Sequence, residues 1–305
     1  MYMTFTKNNS KKLNAFEHGF CKSSEMLTEC LNFRNEMATA AFGKDCTDGV
    51  RFSYVADHYS VLNRVYRFIP GDMIDEFSCE CNKADRYIDK LISGREGEKM
   101  LFDTLKHLTS LNLRRTNIEI NDLVGETDRR TEMDALVVTA RKIYIIEVKN
   151  PHYDITIDDQ GFYLLGGRRY PLADRMRLRT RMVSLAAIRA GIPNPKVYRI
   201  VVIANSNVHI TSNCREIRVC YLDRLISLID GFTGPDVYDI DQMESLMNEI
   251  DNVTTESCYE PSFDVSLLKT GFNHISEALD RRRATNPMQN IFRYLESIVR
   301  KEYSV

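Results

Sequence analysis

The clearest pattern of hydrophobic and polar positions in this chain is a pair of apolar runs rich in β-branched residues. Residues 135–138 and 143–146 are the two runs, and the short segment 139–142 separates them. Two such runs around a short turn predict a β-hairpin. Because side chains alternate between the two faces of a strand, the position of the turn also predicts which residues lie opposite each other.

Periodicity on either side of this hairpin predicts the flanking elements. Residues 1–92 have mainly helical spacing, and the third helix expected there, residues 73–92, should break near Gly94. The pattern then predicts a helix at 97–109, a strand at 113–120, the hairpin, a second hairpin at 153–170, a helix at 172–190, strands at 197–204 and 217–220, and a helix at 222–229. After Gly231 the spacing is helical again.

These elements predict an α/β fold. Residues 197–204 are almost continuously apolar, which is typical of a strand covered on both faces. A central mixed β-sheet flanked by helices on both sides is therefore expected. The chain should divide into a helical region at 1–92, a sheet-containing region at 93–232 and a second helical region at 233–305.

Composition and charge exclude some classes of protein but do not indicate which reaction, if any, this protein catalyses. Among 305 residues, 28% are charged and the net charge is −2, so contact with a polyanion requires a local basic patch. The chain has no apolar run of transmembrane length and no secretory apolar segment near its start, which leads us to expect a cytoplasmic protein without a membrane partner. Eight cysteines lack the spacing of a zinc site, and we interpret them as reduced thiols.

Acidic residues at the open end of the hairpin are the candidate chemistry. A turn centred in the middle of segment 139–142 places Asp134 opposite Glu147 and Glu132 opposite Lys149. Directly opposed Cβ atoms lie roughly 5 Å apart, where two like charges destabilise the sheet. A hard cation such as Mg²⁺, held by carboxylates, water and substrate phosphate, would relieve that repulsion. The pattern thus predicts a metal site with a lysine beside it.

An acid on one strand and Glu-x-Lys on the next resemble the PD-(D/E)xK nuclease superfamily. Upstream, a helical stretch begins with Gly94-Arg95-Glu96-Gly97-Glu98. This segment is followed by a strand, by Glu-x-Asp and by Glu147-Val148-Lys149-Asn150. That order resembles the nuclease-related domain, NERD. The resemblance covers about residues 93–230. It implies a restriction-endonuclease-like core, with helical extensions before and after it.

The resemblance also implies an activity and a set of residues. Glu98, Asp134 and Glu147 would bind Mg²⁺ or Mn²⁺, and Lys149 would be the catalytic lysine of a nuclease that hydrolyses phosphodiester bonds, with DNA as the expected substrate. Glu98 fits the motif better than Glu96, which we interpret as an acid stabilised by the dipole of a helix's first turn.

Glu132 also fits the Glu-x-Asp motif. It is a supporting residue for which an orienting ion pair with Lys149 and direct contact with the metal are equally compatible with the sequence.

The predicted helix at 172–190 departs from the family pattern. Where NERD sequences usually have Gln, this chain has Asp174, followed by Arg175. On a helical wheel, Arg175 and Arg179 fall on the apolar side of this helix. Burying an arginine is costly unless it is paired. We therefore predict that one of them reaches the site, either to bind the scissile phosphate or to pair with an acid such as Glu132. The alternative is that both extend past the apolar side to water.

Two other classes of function are compatible with the sequence. The chain could be a non-catalytic adaptor whose nuclease-like core binds nucleic acid or protein, because the helical flanks make up a large part of it. It could also be a metal-dependent phosphodiesterase acting on a small nucleotide. We expect the flanks, which have no cluster of catalytic residues, to cap the nuclease core, to dimerise or to dock a protein partner, and so to control access or assembly.

Overall fold

The computed structural model describes residues 23–43, 49–121, 130–165, 167–255 and 260–285. In chain order its elements are α1 (Ser23–Phe42), α2 (Phe52–Tyr66), α3 (Gly71–Leu105), β1 (Asn112–Asn121), β2 (Arg130–Thr139), β3 (Ile143–Lys149), β4 (Ile155–Ile157), β5 (Phe162–Leu165), β6 (Arg168–Pro171), α4 (Leu172–Arg189), β7 (Val197–Ile203), β8 (Ile210–Ser212), β9 (Arg218–Tyr221), α5 (Leu222–Asp230), α6 (Ile240–Val253) and α7 (Val265–Thr285).

The chain divides into two compact units. One unit contains residues 1–92 and 257–305, and the other contains residues 93–256. We call them the helical unit and the sheet unit. The first division follows residue 92. On the C-terminal side, residues 233–256 group with the sheet unit, because α6 packs against β1 and α4.

The helical unit is built around one apolar core. Side chains from α1, α2, α7 and the first part of α3 fill it, among them Phe33, Phe52, Phe77 and Phe272. Aromatic rings contact one another inside this core; the Phe33 and Phe52 ring centroids are 5.6 Å apart. No helix in the described part of the chain is both long and apolar enough to cross a bilayer.

Helix α3 contradicts the expected break near Gly94. It runs without interruption from Gly71 to Leu105, through both Gly94 and Gly97. A glycine inside a helix costs only about 1 kcal/mol relative to alanine, and packing overrides that cost. Gly97 has a structural reason to be glycine, since a Cβ atom there would lie 3.1 Å from Cβ of Asn150. The helix can therefore pack directly against the end of β3.

The central sheet has five strands in the order β1-β2-β3-β7-β9. Strands β1, β2 and β3 are antiparallel neighbours, whereas β3, β7 and β9 run parallel. A second sheet has the order β6-β5-β4-β8. The predicted register of the first hairpin is confirmed, because Ala135 pairs with Ile146 and Val138 pairs with Ile143.

Helices cover both faces of the central sheet. On one face, α4 and α6 pack against alternate residues of β3 such as Ile143 and Ile145. On the other face, the second part of α3 and helix α5 pack against the intervening residues Tyr144, Ile146 and Val148. The predicted α/β class, with a mixed sheet between helices and helical extensions, is confirmed.

Candidate active site

The candidate site lies where β3 ends. The hairpin register, continued by one residue beyond its last recorded pair, places Asp134 opposite Glu147. Oδ2 of Asp134 accepts a hydrogen bond of 2.6 Å from the backbone N–H of Val148. Nζ of Lys149 donates to Oε1 of Glu147 on the same strand. The two acids and the lysine that the sequence singled out are therefore neighbours.

Arg179 on α4 completes this group. Its Nη1 donates to the second oxygen of Glu147, and its Nε donates to Oγ1 of Thr131 at 3.2 Å. Arg179 and Glu147 are each only 5% exposed. Of the alternatives for this arginine, the structure thus places it beside an acid, and that acid is Glu147. Arg175, one turn earlier, is exposed to solvent.

Glu98 reaches the site from α3. Nδ2 of Asn117 donates to Oε2 of Glu98 at 3.3 Å. Asn117 has a left-handed backbone conformation, with φ of 52°, and interrupts the β1–β2 ladder between the pairs Thr116–Ala135 and Ile118–Met133. Asparagine tolerates that conformation better than most residues do. The interruption falls at the position facing Asp134.

The other two acids occupy different positions. Glu132 lies opposite Glu119 in the β1–β2 ladder, while Lys149 has Glu147 as its ion-pair partner. Glu96 is exposed. Because α3 begins at Gly71, neither Glu96 nor Glu98 lies in the first turn of a helix, and the explanation of Glu96 by the helix dipole is wrong.

The pKa values of the two opposed acids are shifted in opposite directions. Burial and the neighbouring Glu147 carboxylate raise the pKa of Asp134 well above its usual range. Burial also opposes ionisation of Glu147, but the charges of Lys149 and Arg179 outweigh it and lower the pKa of Glu147. The same pairing raises the pKa of Lys149 despite its burial. The favoured state of this group is an ionised Glu147 between two cations.

The pKa of Glu98 is affected by the same group of acids. Burial and then the charge of Glu132 raise its pKa, against the hydrogen bond from Asn117. Repulsion between acids therefore extends across α3, β2 and β3.

Carboxylate oxygens, the ligand type of hard divalent cations, are present at this site. The carboxyl groups of Glu98, Glu132, Asp134 and Glu147 and the cations Lys149 and Arg179 influence one another's charge. Within the described ranges, no three His, Cys, Asp or Glu side chains are yet close enough to hold a metal ion. Both oxygens of Glu147 accept hydrogen bonds, one from Lys149 and the other from Arg179.

Sequence reasoning missed Asn117, Thr131 and Tyr163. Thr131 orients Arg179, and the Lys149 ammonium acts on the pKa of Tyr163, which burial raises. An asparagine inside an otherwise good strand pattern is a usable signal for Asn117, because asparagine is depleted in strands. No local pattern identifies Thr131 or Tyr163, whose roles depend on contacts between distant segments.

Comparison with known proteins identifies one family. The family model of the nuclease-related domain, NERD, matches residues 93–204. No curated protein and no solved structure is similar enough to the chain to match it. The match includes Glu98, both strands of the first hairpin, α4 and β7. Residues 93–204 of this chain are therefore a nuclease-related domain.

Proposed function

We propose that this protein is a divalent-metal-dependent nuclease that hydrolyses phosphodiester bonds, with DNA as the substrate. The observation that carries the proposal is the opposition of Asp134 and Glu147 at the end of β3, with Lys149 beside them. A merely structural pair would have no physical reason to keep two acids in mutual repulsion. The nuclease-related domain supports the same class of chemistry.

In this proposal Asp134, Glu147 and Glu98 hold the metal ion. When bound, Mg²⁺ or Mn²⁺ supplies polarisation of the scissile phosphodiester and a water of lowered pKa. Lys149, held by Glu147, is available to stabilise negative charge that develops on the phosphate. Glu132 and Asn117 orient Glu98 through charge and a hydrogen bond.

The two arginines of α4 have separate roles in this proposal. Arg179 is a positioning residue, because its guanidinium is buried against Glu147 and Thr131. Arg175 is exposed and is the better candidate to contact substrate phosphate. Replacing Arg179 by Lys should lower kcat and leave KM nearly unchanged, since one ammonium cannot reach both acceptors in the same geometry.

A cleavage assay tests the proposal directly. The purified chain is incubated with labelled single- and double-stranded DNA and RNA, with Mg²⁺, Mn²⁺ or a chelator. We expect metal-dependent cutting that Asp134→Asn and Glu147→Gln each reduce by at least about a thousandfold, a typical loss for essential groups. Asp174→Asn, which removes an exposed acid from α4, is the matched control. Cutting at the wild-type rate by both site variants would overturn the proposal.

A second candidate is a non-catalytic adaptor that binds nucleic acid or protein through the same core. The observation that favours it is the engagement of both Glu147 oxygens by Lys149 and Arg179. A ligand specific for the native state raises the melting temperature, by an amount equivalent to about 2.7 kcal/mol at a hundred times its Kd. If Mg²⁺ and Mn²⁺ raise the melting temperature of the wild type by no more than they raise that of Asp134→Asn, the adaptor is the better account.

A further inference from the structure

The β5–β6 hairpin presents an aromatic and basic surface beside the candidate site. Tyr163 on β5 lies directly opposite Tyr170 on β6, and their ring centroids are 6.1 Å apart. Tyr163 is buried, whereas Tyr170 is 39% exposed. Because side chains alternate along a strand, Arg168 lies on the same face of β6 as Tyr170. That face therefore runs from a buried ring to an exposed ring and an exposed guanidinium.

The exposed arginines near this hairpin differ in whether a carboxylate neutralises them. Arg169 pairs with Asp158 at 2.9 Å, and its guanidinium packs on the Phe162 ring. Arg168 and Arg175 are exposed, and neither forms an ion pair with any residue that the structure describes. Two positive charges are thus available to an anionic partner, in a chain whose net charge is slightly negative.

Tight packing ties this surface to the candidate site. The N–H of Ala173, in the first turn of α4, donates to the carbonyl of Gly161 at 2.9 Å. A Cβ atom on Gly161 would lie 2.2 Å from that of Ala173, so only glycine allows the helix to start this close to β5. Arg175 precedes Arg179 by one helical turn, and Arg179 contacts Glu147.

We propose that Tyr170, Arg168 and Arg175 bind single-stranded nucleic acid and lead it to the candidate site. One unpaired base stacks on the exposed face of Tyr170, and the two guanidiniums contact adjacent phosphates. A single strand is the occupant that fits, because an exposed aromatic ring together with unpaired cations is the combination that binds unpaired bases and their backbone. In a duplex the bases are already stacked on one another and offer no free face. This inference rests on the proposed function, and it names single-stranded nucleic acid as the form of the substrate.

Binding in the absence of metal separates this inference from catalysis. The full chain is titrated, in a chelator, into labelled oligo(dT) or oligo(rU) of about 16 nucleotides and into a duplex of the same length. We expect tighter binding of the single strands. Tyr170→Ala should weaken that binding by about tenfold or more, and Tyr170→Phe should retain it.

The charge arm of the experiment uses matched pairs of exposed arginines. Arg168→Gln with Arg175→Gln should reduce the magnitude of the salt slope by about 1.4, since each phosphate contact to a single strand contributes about 0.7. Arg215→Gln with Arg218→Gln, just before and within β9, removes the same charge from exposed side chains that likewise form no ion pair with any described residue, and should leave the slope unchanged.

Two outcomes would overturn the inference: no preference of the wild type for single strands, or equal effects of the two arginine pairs. The arginine variants change only exposed side chains, so they keep the test decisive even if Tyr170→Ala unfolds. Loss of strand binding in the variants with no cleavage by the wild type would refute the nuclease and support this surface. Intact strand binding by the variants, together with cleavage by the wild type, would refute this surface and support the nuclease.

Discussion

The helical unit and the sheet unit both place acidic side chains away from solvent, but they surround them differently. In the helical unit, Asp85 accepts hydrogen bonds from the N–H groups of Phe52 and Ser53 at the start of α2. Glu80 accepts from the N–H of Asp264, just before α7, and pairs with the partly exposed Lys83. Each acid faces donors, and neither acid faces the other.

In the sheet unit the acids face each other. Asp134 and Glu147 lie on neighbouring strands, and Glu147 has Lys149 and Arg179 as partners. A buried acid that stabilises the start of a helix needs no ligand, because backbone N–H groups already satisfy it. Opposed acids retain a need for positive charge. The difference teaches that burial alone does not identify a site; the identity of the nearest charged groups does.

The largest expected effect on stability comes from Glu147→Gln. This change leaves the buried guanidinium of Arg179 without an ionised partner and should lower the free energy of unfolding by about 3 kcal/mol. Urea unfolding followed by circular dichroism measures it. Adding Arg179→Met should recover most of the loss, because an apolar side chain replaces the unpaired charge. Additive losses in the double variant would mean that the two side chains do not depend on each other.

The next largest effect on stability is expected from Asp85→Ala. Two N–H groups at the start of α2 lose their acceptor, which costs about 2 kcal/mol. Cleavage at a temperature where the variant is folded should stay at the wild-type rate. Asp89→Ala is the control, since Asp89 is exposed and pairs with Arg51 at the surface, and it should cost less than about 0.5 kcal/mol. A cleavage defect in folded Asp85→Ala would contradict the purely structural role assigned to this acid of the helical unit.

Asp134→Asn should have the opposite effect and raise the free energy of unfolding of the metal-free protein at neutral pH by up to about 1 kcal/mol, the scale of interactions between directly opposed residues of a sheet. Its pKa is raised in the folded state by burial and by Glu147, against Lys149, the Val148 N–H and Arg179. A raised carboxyl pKa stabilises the fold below the unfolded pKa, and that stabilisation is lost as pH rises through the folded pKa.

The gain from Asp134→Asn should therefore grow as pH rises from about 4, the usual Asp pKa, towards the raised value. Unfolding experiments on both proteins across this range measure it. A difference that is constant with pH would show that Asp134 is not under strain from its neighbours.

The smallest expected effects come from the two glycines of α3. Gly97→Ala should push the helix away from Asn150, move Glu98 and weaken Mn²⁺ binding severalfold, with a stability loss of about 1 kcal/mol. Gly94→Ala meets open space and should stabilise the helix by about 0.5–1 kcal/mol without changing metal affinity. Calorimetric titration with Mn²⁺ compares the pair. Equal affinities would remove Gly97 from the positioning of Glu98.

Much of the sheet unit could be predicted because its signals are local. The hairpin register follows from a short turn and the alternation of apolar residues, since a slip of one residue would turn the buried side chains outward. Helix α4 and strand β7 follow from periodicity in the same way. The continuity of α3 through Gly94 could not be predicted, because a weak helix residue signals a break unless packing elsewhere stabilises the helix.

What the sequence by itself determined is the α/β class, the register of the first hairpin, the nuclease-related motif and the candidate residues Glu98, Asp134, Glu147 and Lys149. Only the tertiary structure decided that Arg179 pairs with Glu147, that Arg175 stays in solvent and that Asn117 adopts a left-handed conformation beside Glu98. Strand pairing and helix periodicity depend on residues close in sequence. The partner of a buried charge depends on which distant segments pack around it, and on the cost of leaving that charge unpaired.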